Sequence, residues 1–286
     1  MASNLRLIAA GLKHLVYKRL NRDMVGYKVE CELTDIMVEE IREYARATND
    51  LVENYNQDSI IPPLFVSRLI HPILMDTILN PKLRMNILKM VHGELDIRWY
   101  LPVYAKDRLG LRMEIKDIID TSAGELIKIS FIIFKDRSDA AEAIAGLLVR
   151  NPKGEKAKKE EGKGVDLIKS IKIQTREGQA LEYARASLDN NLIHINHLFA
   201  RIAGLKRPIL HGVCAFAMTC NELLKNFAGN DKKRLSRMSG RFASPVYPGE
   251  NLILNCYRGN SEKDILFEVI NEYGKTNIKN GRFEFL

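Results

Sequence analysis

The stretch 182–212, EYARASLDNNLIHINHLFARIAGLKRPILHG, decides the organisation of the chain, because its opening is written twice. Glu182-Tyr183-Ala184-Arg185-Ala186-Ser187 repeats Glu43-Tyr44-Ala45-Arg46-Ala47-Thr48 after 139 residues, and Pro245-Val246-Tyr247 repeats Pro102-Val103-Tyr104 after 143. Two separate matches at nearly one spacing mark a duplication, which sets the unit of folding. We therefore expect a first copy over residues 1–150, a charged linker over 151–165 and a second copy over 166–286. The segment Pro152–Gly164 holds eight charges and no apolar residue larger than alanine, too little to bury against anything.

Within each copy a polar loop leads into an apolar helical run and then into alternating segments. Tyr27, Val29, Cys31 and Leu33 alternate with Lys28, Glu30, Glu32 and Thr34, and Leu111, Met113 and Ile115 with Arg112, Glu114 and Lys116. That is the period of a half-buried strand. Further strands are expected at Ile127–Phe134, Leu252–Tyr257, Asp264–Ile270 and Gly281–Leu286. A long apolar helix is expected over Pro208–Phe227, opened by proline and closed by Gly229. In the first copy Pro72 falls inside the corresponding helix and is expected to interrupt it. One helix followed by antiparallel strands predicts an α+β unit whose sheet curls around the helix.

With 286 residues, 46% of them apolar and 28% charged, the chain has a globular profile and room for two ordinary domains. No apolar run approaches the ~20 residues that span a bilayer. Four cysteines (Cys31, Cys214, Cys220 and Cys256) lie in apolar contexts without metal-ligand spacing, as reduced core residues of a cytoplasmic protein would. A net charge of +8 favours anionic partners, but the low aromatic content and the lack of a basic-aromatic motif argue against nucleic acid. The first 22 residues are basic and place Leu5, Ile8, Leu12, Leu15 and Val16 on one helical face. They fit a membrane-surface helix, an organellar presequence or, more commonly for amphipathic helices, a terminal helix docked on its own domain.

The same stretch concentrates chemistry. Asp189, Asn191 and His194 fall within six residues of polar loop, and Gly212 follows at the start of the apolar run. Singly, each has an ordinary structural explanation: Asp189-Asn190-Asn191 makes a normal turn, and a lone histidine more often satisfies a buried neighbour. Together they supply what adding water across an activated double bond requires. An imidazole that titrates near neutrality moves a proton, and a carboxylate orients it and helps hold the water. A helix-start N–H, unobstructed at glycine, receives the charge that develops on a thioester oxygen. His197 has no acidic neighbour, His211 reads as a cap or packing residue, and no ligand cluster supports a metal. The first copy aligns Asp50 with Asp189 but has Tyr55 for His194 and Ser67 for Gly212, so only the second copy holds the reactive set.

Ser187-Leu188-Asp189-Asn190-Asn191-Leu192-Ile193-His194, followed by Phe199-Ala200, Gly204 and Pro208-Ile209-Leu210-His211-Gly212, resembles the hydratase signature of the MaoC-like, (R)-specific enoyl-CoA hydratase family. The likeness covers the second copy. The first is similar in layout to the degenerate repeat of double-hot-dog members, chiefly at Pro62-Pro63 and Val91-His92-Gly93. The resemblance implies a tandem double hot-dog, each half an antiparallel sheet wrapped around a central helix. It implies a catalytic Asp189–His194 dyad, with Asn191 assisting and the Gly212 amide in an oxyanion hole. The activity implied is hydration of trans-2-enoyl thioesters, or dehydration of (R)-3-hydroxyacyl thioesters, in fatty acid metabolism. Water is then the cosubstrate and CoA or acyl carrier protein the acyl carrier, with no metal or redox cofactor, and a homodimer stays open. The degenerate first half is then free to lodge an acyl tail, with Leu64, Phe65, Leu69 and Leu74 as candidate lining. Leu188 and Leu192 stand where the family has glycine and proline. That departure sustains a second expectation, a catalytically weak acyl-thioester-binding or partner subunit of the same fold.

Overall fold

The computed structural model describes residues 17–50, 54–87, 89–151 and 166–286. The basic segment up to residue 16 and the charged stretch 152–165 lie outside the described residues. In the first half β1 (Lys28–Glu32) precedes α1 (Val38–Ala47) and α2 (Val66–Ile78). Four strands follow: β2 (Met90–Trp99), β3 (Gly110–Thr121), β4 (Gly124–Lys135) and β5 (Ser138–Arg150). The second half repeats the plan with β6 (Leu167–Gln174), α3 (Gln179–Ser187), two short helices α4 (Leu192–Ile195) and α5 (His197–Ile202), and α6 (Gly212–Phe227). It ends with β7 (Leu235–Phe242), β8 (Asn251–Arg258), β9 (Asp264–Asn271) and β10 (Thr276–Phe285).

These strands form one ten-stranded sheet in the order β1-β3-β4-β5-β2-β7-β10-β9-β8-β6, so each half contributes the same arrangement and the two join at β2–β7. α2 and α6 are the helices the sheet wraps. Residues Cys214 to Cys220 of α6 are all buried, as a helix that is apolar all round must be. The hydrophobic core is continuous through both halves. No helix among the described residues is long and apolar enough to cross a membrane.

The joint is close to two-fold symmetric. In β2–β7, Asp96 faces Ser239, 143 positions away, the spacing of the Pro-Val-Tyr repeat. Tyr44 and Tyr183, equivalent in the 139-residue repeat, meet with hydroxyls 3.3 Å and ring centroids 5.5 Å apart. Each thus touches its own counterpart. The Tyr44 hydroxyl also donates to the Leu64 carbonyl at 2.7 Å.

Three local expectations are corrected. The long helix starts at Gly212 rather than Pro208, because Leu210 is held extended, its N–H donating to the Val246 carbonyl at 2.8 Å. Pro72 does not interrupt α2, which runs through it. The proline is exposed, so the lost bond to the Arg68 carbonyl and the ring's crowding fall on the solvent side while Val66, Ile70 and Ile78 stay buried. In the first half Ile61 donates to Val103 as Leu210 does to Val246, which puts Pro63, not Ser67, at the place of Gly212. Leu64 and Phe65 belong to the core and Leu69 and Leu74 pack against it.

Candidate active site

α3 ends at Ser187 and the chain turns through Leu188, which is left-handed at φ 66°, ψ 0°. The turn carries Asp189 off the helix axis. Its Oδ1 accepts the Asn191 N–H at 3.2 Å, and Asn191 Oδ1 accepts the Ile193 N–H at 3.3 Å, capping α4. That single helical turn brings His194 back towards Asp189. His194 Nδ1 lies 2.8 Å from the Ile209 carbonyl, which can only accept, so Nδ1 carries the proton and Nε2 keeps its lone pair.

His211 takes the N-cap position of α6, as expected, and its ring also lies against Asp189 and His194. It is 2% exposed, and its Nε2 donates to the Asp189 carbonyl at 2.9 Å while lying 4.0 Å from Asp189 Oδ2. Its ring stacks on His194 with centroids 3.6 Å apart and planes 23° from parallel. Two further imidazoles come from the first half. His71 on α2 faces Leu188, and His92 on β2 meets the Phe242 ring edge to face at 5.1 Å; both face the charge of Asp189. Four of the six histidines in the chain thus surround one carboxylate. Local spacing could not reveal this, because His71 and His92 lie about a hundred residues upstream.

Burial sets the charge states. It lowers the pKa of His194, that of His211 to about 3 and that of His92 to about 4. It works against the Asp189 carboxylate too, but the facing His211, His71 and His194 and the Asn191 N–H outweigh it and hold the pKa at about 2. Though crowded by these groups, the Asp189 side chain keeps 35% of its surface open, so it faces an opening. At neutral pH the site is one carboxylate among neutral imidazoles. Asp189, His194 and His211 bring donor atoms within 4.8 Å of one another, the spacing of a metal cluster. Stacked rings, however, aim their lone pairs in parallel planes rather than at one point, and the His211 nitrogen nearest Asp189 already donates to a carbonyl.

Gly212 is the first residue of α6, so its N–H has no acceptor within the helix and sits at the positive end of the dipole. A Cβ there would lie 2.9 Å from Phe242 Cδ1, so the missing side chain makes room for an aromatic wall rather than directly for a substrate.

The matching place in the first half is closed. Tyr55, at the position of His194, donates to Asp50 Oδ2 at 2.5 Å. Lys232 of the second half pairs with the same oxygen at 3.0 Å and lies 4.5 Å from the Tyr55 ring centroid. The Asp50 and Lys232 side chains are 7% and 11% exposed. The Asp50 charge is thus matched by a buried ammonium and a tyrosine hydroxyl, with no imidazole beside it to take a proton from water.

Residues 156–279 match the MaoC like domain, and residues 23–133 match the FAS1-like dehydratase domain region. The chain is 32% identical over 180 residues to peroxisomal multifunctional enzyme type 2 of Mus musculus, a match covering 60% of this chain and 24% of that protein. It is 31% identical over 183 residues to 3-hydroxyacyl-thioester dehydratase Y of Mycobacterium tuberculosis, covering 59% of this chain and 62% of that one. The match spans less than two thirds of either relative. A crystal structure of a MaoC-like dehydratase from Phytophthora capsici superposes with a TM-score of 0.79 over 93% of this chain and 98% of its own, at 22% identity, a likeness of fold alone.

Proposed function

We propose that this chain, whose second half matches the MaoC-like dehydratase domain and whose first half matches a FAS1-like dehydratase region, adds water to trans-2-enoyl thioesters and removes it from (R)-3-hydroxyacyl thioesters at the site of its second half. The observation that carries the reading is an ionised Asp189 beside a neutral His194 whose Nε2 lone pair is left free by the Ile209 contact. A water held between them gives a proton to Nε2 as its oxygen bonds to C3 of the enoyl group. The electron pair of the double bond moves towards the thioester oxygen, which the Gly212 N–H receives. The imidazolium, stabilised by Asp189, then returns the proton to C2. Water, substrate and product balance without a metal or redox cofactor. The unpaired thiols of Cys31, Cys214, Cys220 and Cys256 suit a reducing compartment such as the cytoplasm.

The test is turnover of enoyl-CoA substrates over a range of chain lengths, with chiral analysis of the product. Asp189→Asn and His194→Ala should each lower kcat by about 10²–10⁴-fold in folded protein. Near-normal hydration by both variants, or an (S)-product, would sink the assignment. The left-handed Leu188 favours one competing reading, a subunit that binds acyl thioesters without turning them over. A wild-type chain that binds enoyl-CoA but does not hydrate it would establish that alternative.

A further inference from the structure

The first half, whose own site is closed, reaches into the loop that carries Asp189. Arg68 and His71 project from α2 one turn apart, towards the end of α3. Arg68 Nη1 donates to the Ala186 carbonyl at 2.7 Å, and the His71 ring faces Leu188 and the charge of Asp189. The carbonyls of a last helical turn have no intrahelical donors; the donor to Ala186 comes from the other half of the chain, while the Leu188 carbonyl accepts locally from the Asn190 N–H at 3.1 Å. Arg68 is fixed in turn by an ion pair to Glu40 of α1, with 11% of its side chain exposed. Beyond the held Ala186 carbonyl Leu188 turns at φ 66°, a conformation that crowds any Cβ against its own backbone.

The other half provides the comparison. There Asn49 makes the equivalent turn at φ 56°, and asparagine tolerates it. Its helix end is held by Gln179 to the Ala47 carbonyl at 2.9 Å, Asn221 to the Thr48 carbonyl at 3.0 Å and the Arg176 guanidinium to the Arg46 carbonyl at 3.1 Å. A guanidinium thus holds both helix ends, but only in the second half is the turn beyond it made by a residue strained there, and only there does the loop carry the reactive groups.

We propose that Arg68 and His71 are positioning residues for the Asp189–His194 site, holding the left-handed Leu188 turn from the opposite half so that the loop keeps its shape without a glycine at 188. Its consequence for rate rests on the hydratase reading, whereas its consequence for the loop does not. The test therefore reads both. Amide hydrogen exchange over residues 189–194 should accelerate about tenfold or more in Arg68→Met and His71→Phe, with global unfolding little changed. Glu40→Gln, which breaks the ion pair but leaves the donor to Ala186, should keep exchange near wild type. Arg68→Lys and His71→Gln, which retain a donor, should recover most of the protection. In turnover, His71→Phe should lower kcat by about ten- to a hundredfold, with KM little affected. Adding Leu188→Gly, which removes the strain, should restore most of it. Unchanged loop exchange in Arg68→Met and His71→Phe overturns the proposal, as does a kcat loss that Leu188→Gly leaves in place. If the wild-type chain turns nothing over, accelerated exchange still establishes the positioning role, and only the reading of the reaction fails.

Discussion

Replacing Asp50 with asparagine removes a charge and almost no volume, and its effect follows from the closed site of the first half. Burial pushes the Lys232 ammonium below its usual pKa, and Asp50, 3.0 Å away, opposes that push. Without the carboxylate, Lys232 must stay charged among buried groups or give up its proton. The second route sets a ceiling. Discharging an ammonium of ordinary pKa 10.5 at pH 7 costs ~1.4 kcal/mol per unit, about 5 kcal/mol in all. The Tyr55 hydroxyl and ring remain and recover part of this, so a loss of about 3–5 kcal/mol is expected. Urea unfolding at pH 7 measures it. The unfolded state holds the lysine proton up to its ordinary pKa and the variant's folded state does not. The deficit should therefore shrink by ~1.4 kcal/mol per unit as pH rises towards 10.5. Asp50→Asn/Lys232→Met should regain most of the stability, and turnover per folded molecule should not change in either variant. A deficit under about 1 kcal/mol, or one that Lys232→Met does not mend, would refute this account of the pair.

Gly212→Ala should push Phe242 out of place and lower kcat by about ten- to a hundredfold, and Phe242→Leu should recover part of it; an alanine variant with normal kinetics would show that Phe242 does not need the missing side chain to shape the site. kcat/KM should fall as pH drops through the His194 pKa, which burial holds below 6.5, because the base must be neutral; an acid limb that His194→Gln leaves unmoved would exclude His194 as the base. Stability should also fall below pH 6.5, by about 1.4 kcal/mol per unit for each imidazole held neutral, since the unfolded chain takes up protons that the folded one refuses. Denaturation midpoints from pH 5 to 8 measure that slope, and His211→Phe should flatten it. Leu192→Pro should change stability by no more than about 1 kcal/mol, because residue 192 opens α4 and its N–H has no intrahelical role there.

The α+β fold was legible because its repeat survives at the axis: Tyr44 and Tyr183 are retained where they touch each other. Strands with clean alternation, such as β1, β3 and β8, were also legible. β5 was not, because Ala140, Ala141, Ala143 and Ala145 supply burial without the bulk that marks a strand. Nor was β6, an edge strand exposed along most of its length, which carries little alternation. Of the site, Asp189, Asn191 and His194 were readable because one turn of loop and one turn of helix hold them together. His71 and His92 were not, because only the meeting of the two halves brings them near. His211 was legible as a cap, but the direction of its ring was not. The Leu210–Val246 bridge keeps the preceding segment extended, and the ring of this N-cap residue then points back at Asp189.

The tyrosine pair at the axis has a consequence for the smallest unit of symmetry in the molecule, a proton. Two identical hydroxyls facing each other share one hydrogen bond, so one must give and the other receive. Tyr44 has its single proton committed to the Leu64 carbonyl, an acceptor only, so Tyr183 is the one that gives. In a pair of identical separate chains either direction would serve equally, and the proton could alternate between them. Joining the two units in one polypeptide lets their surroundings diverge, with Leu64 and Ser67 beside one tyrosine and His211 beside the other. The direction of that bond is thereby fixed, and the centre of the protein becomes polar in a sense that its backbone does not reveal.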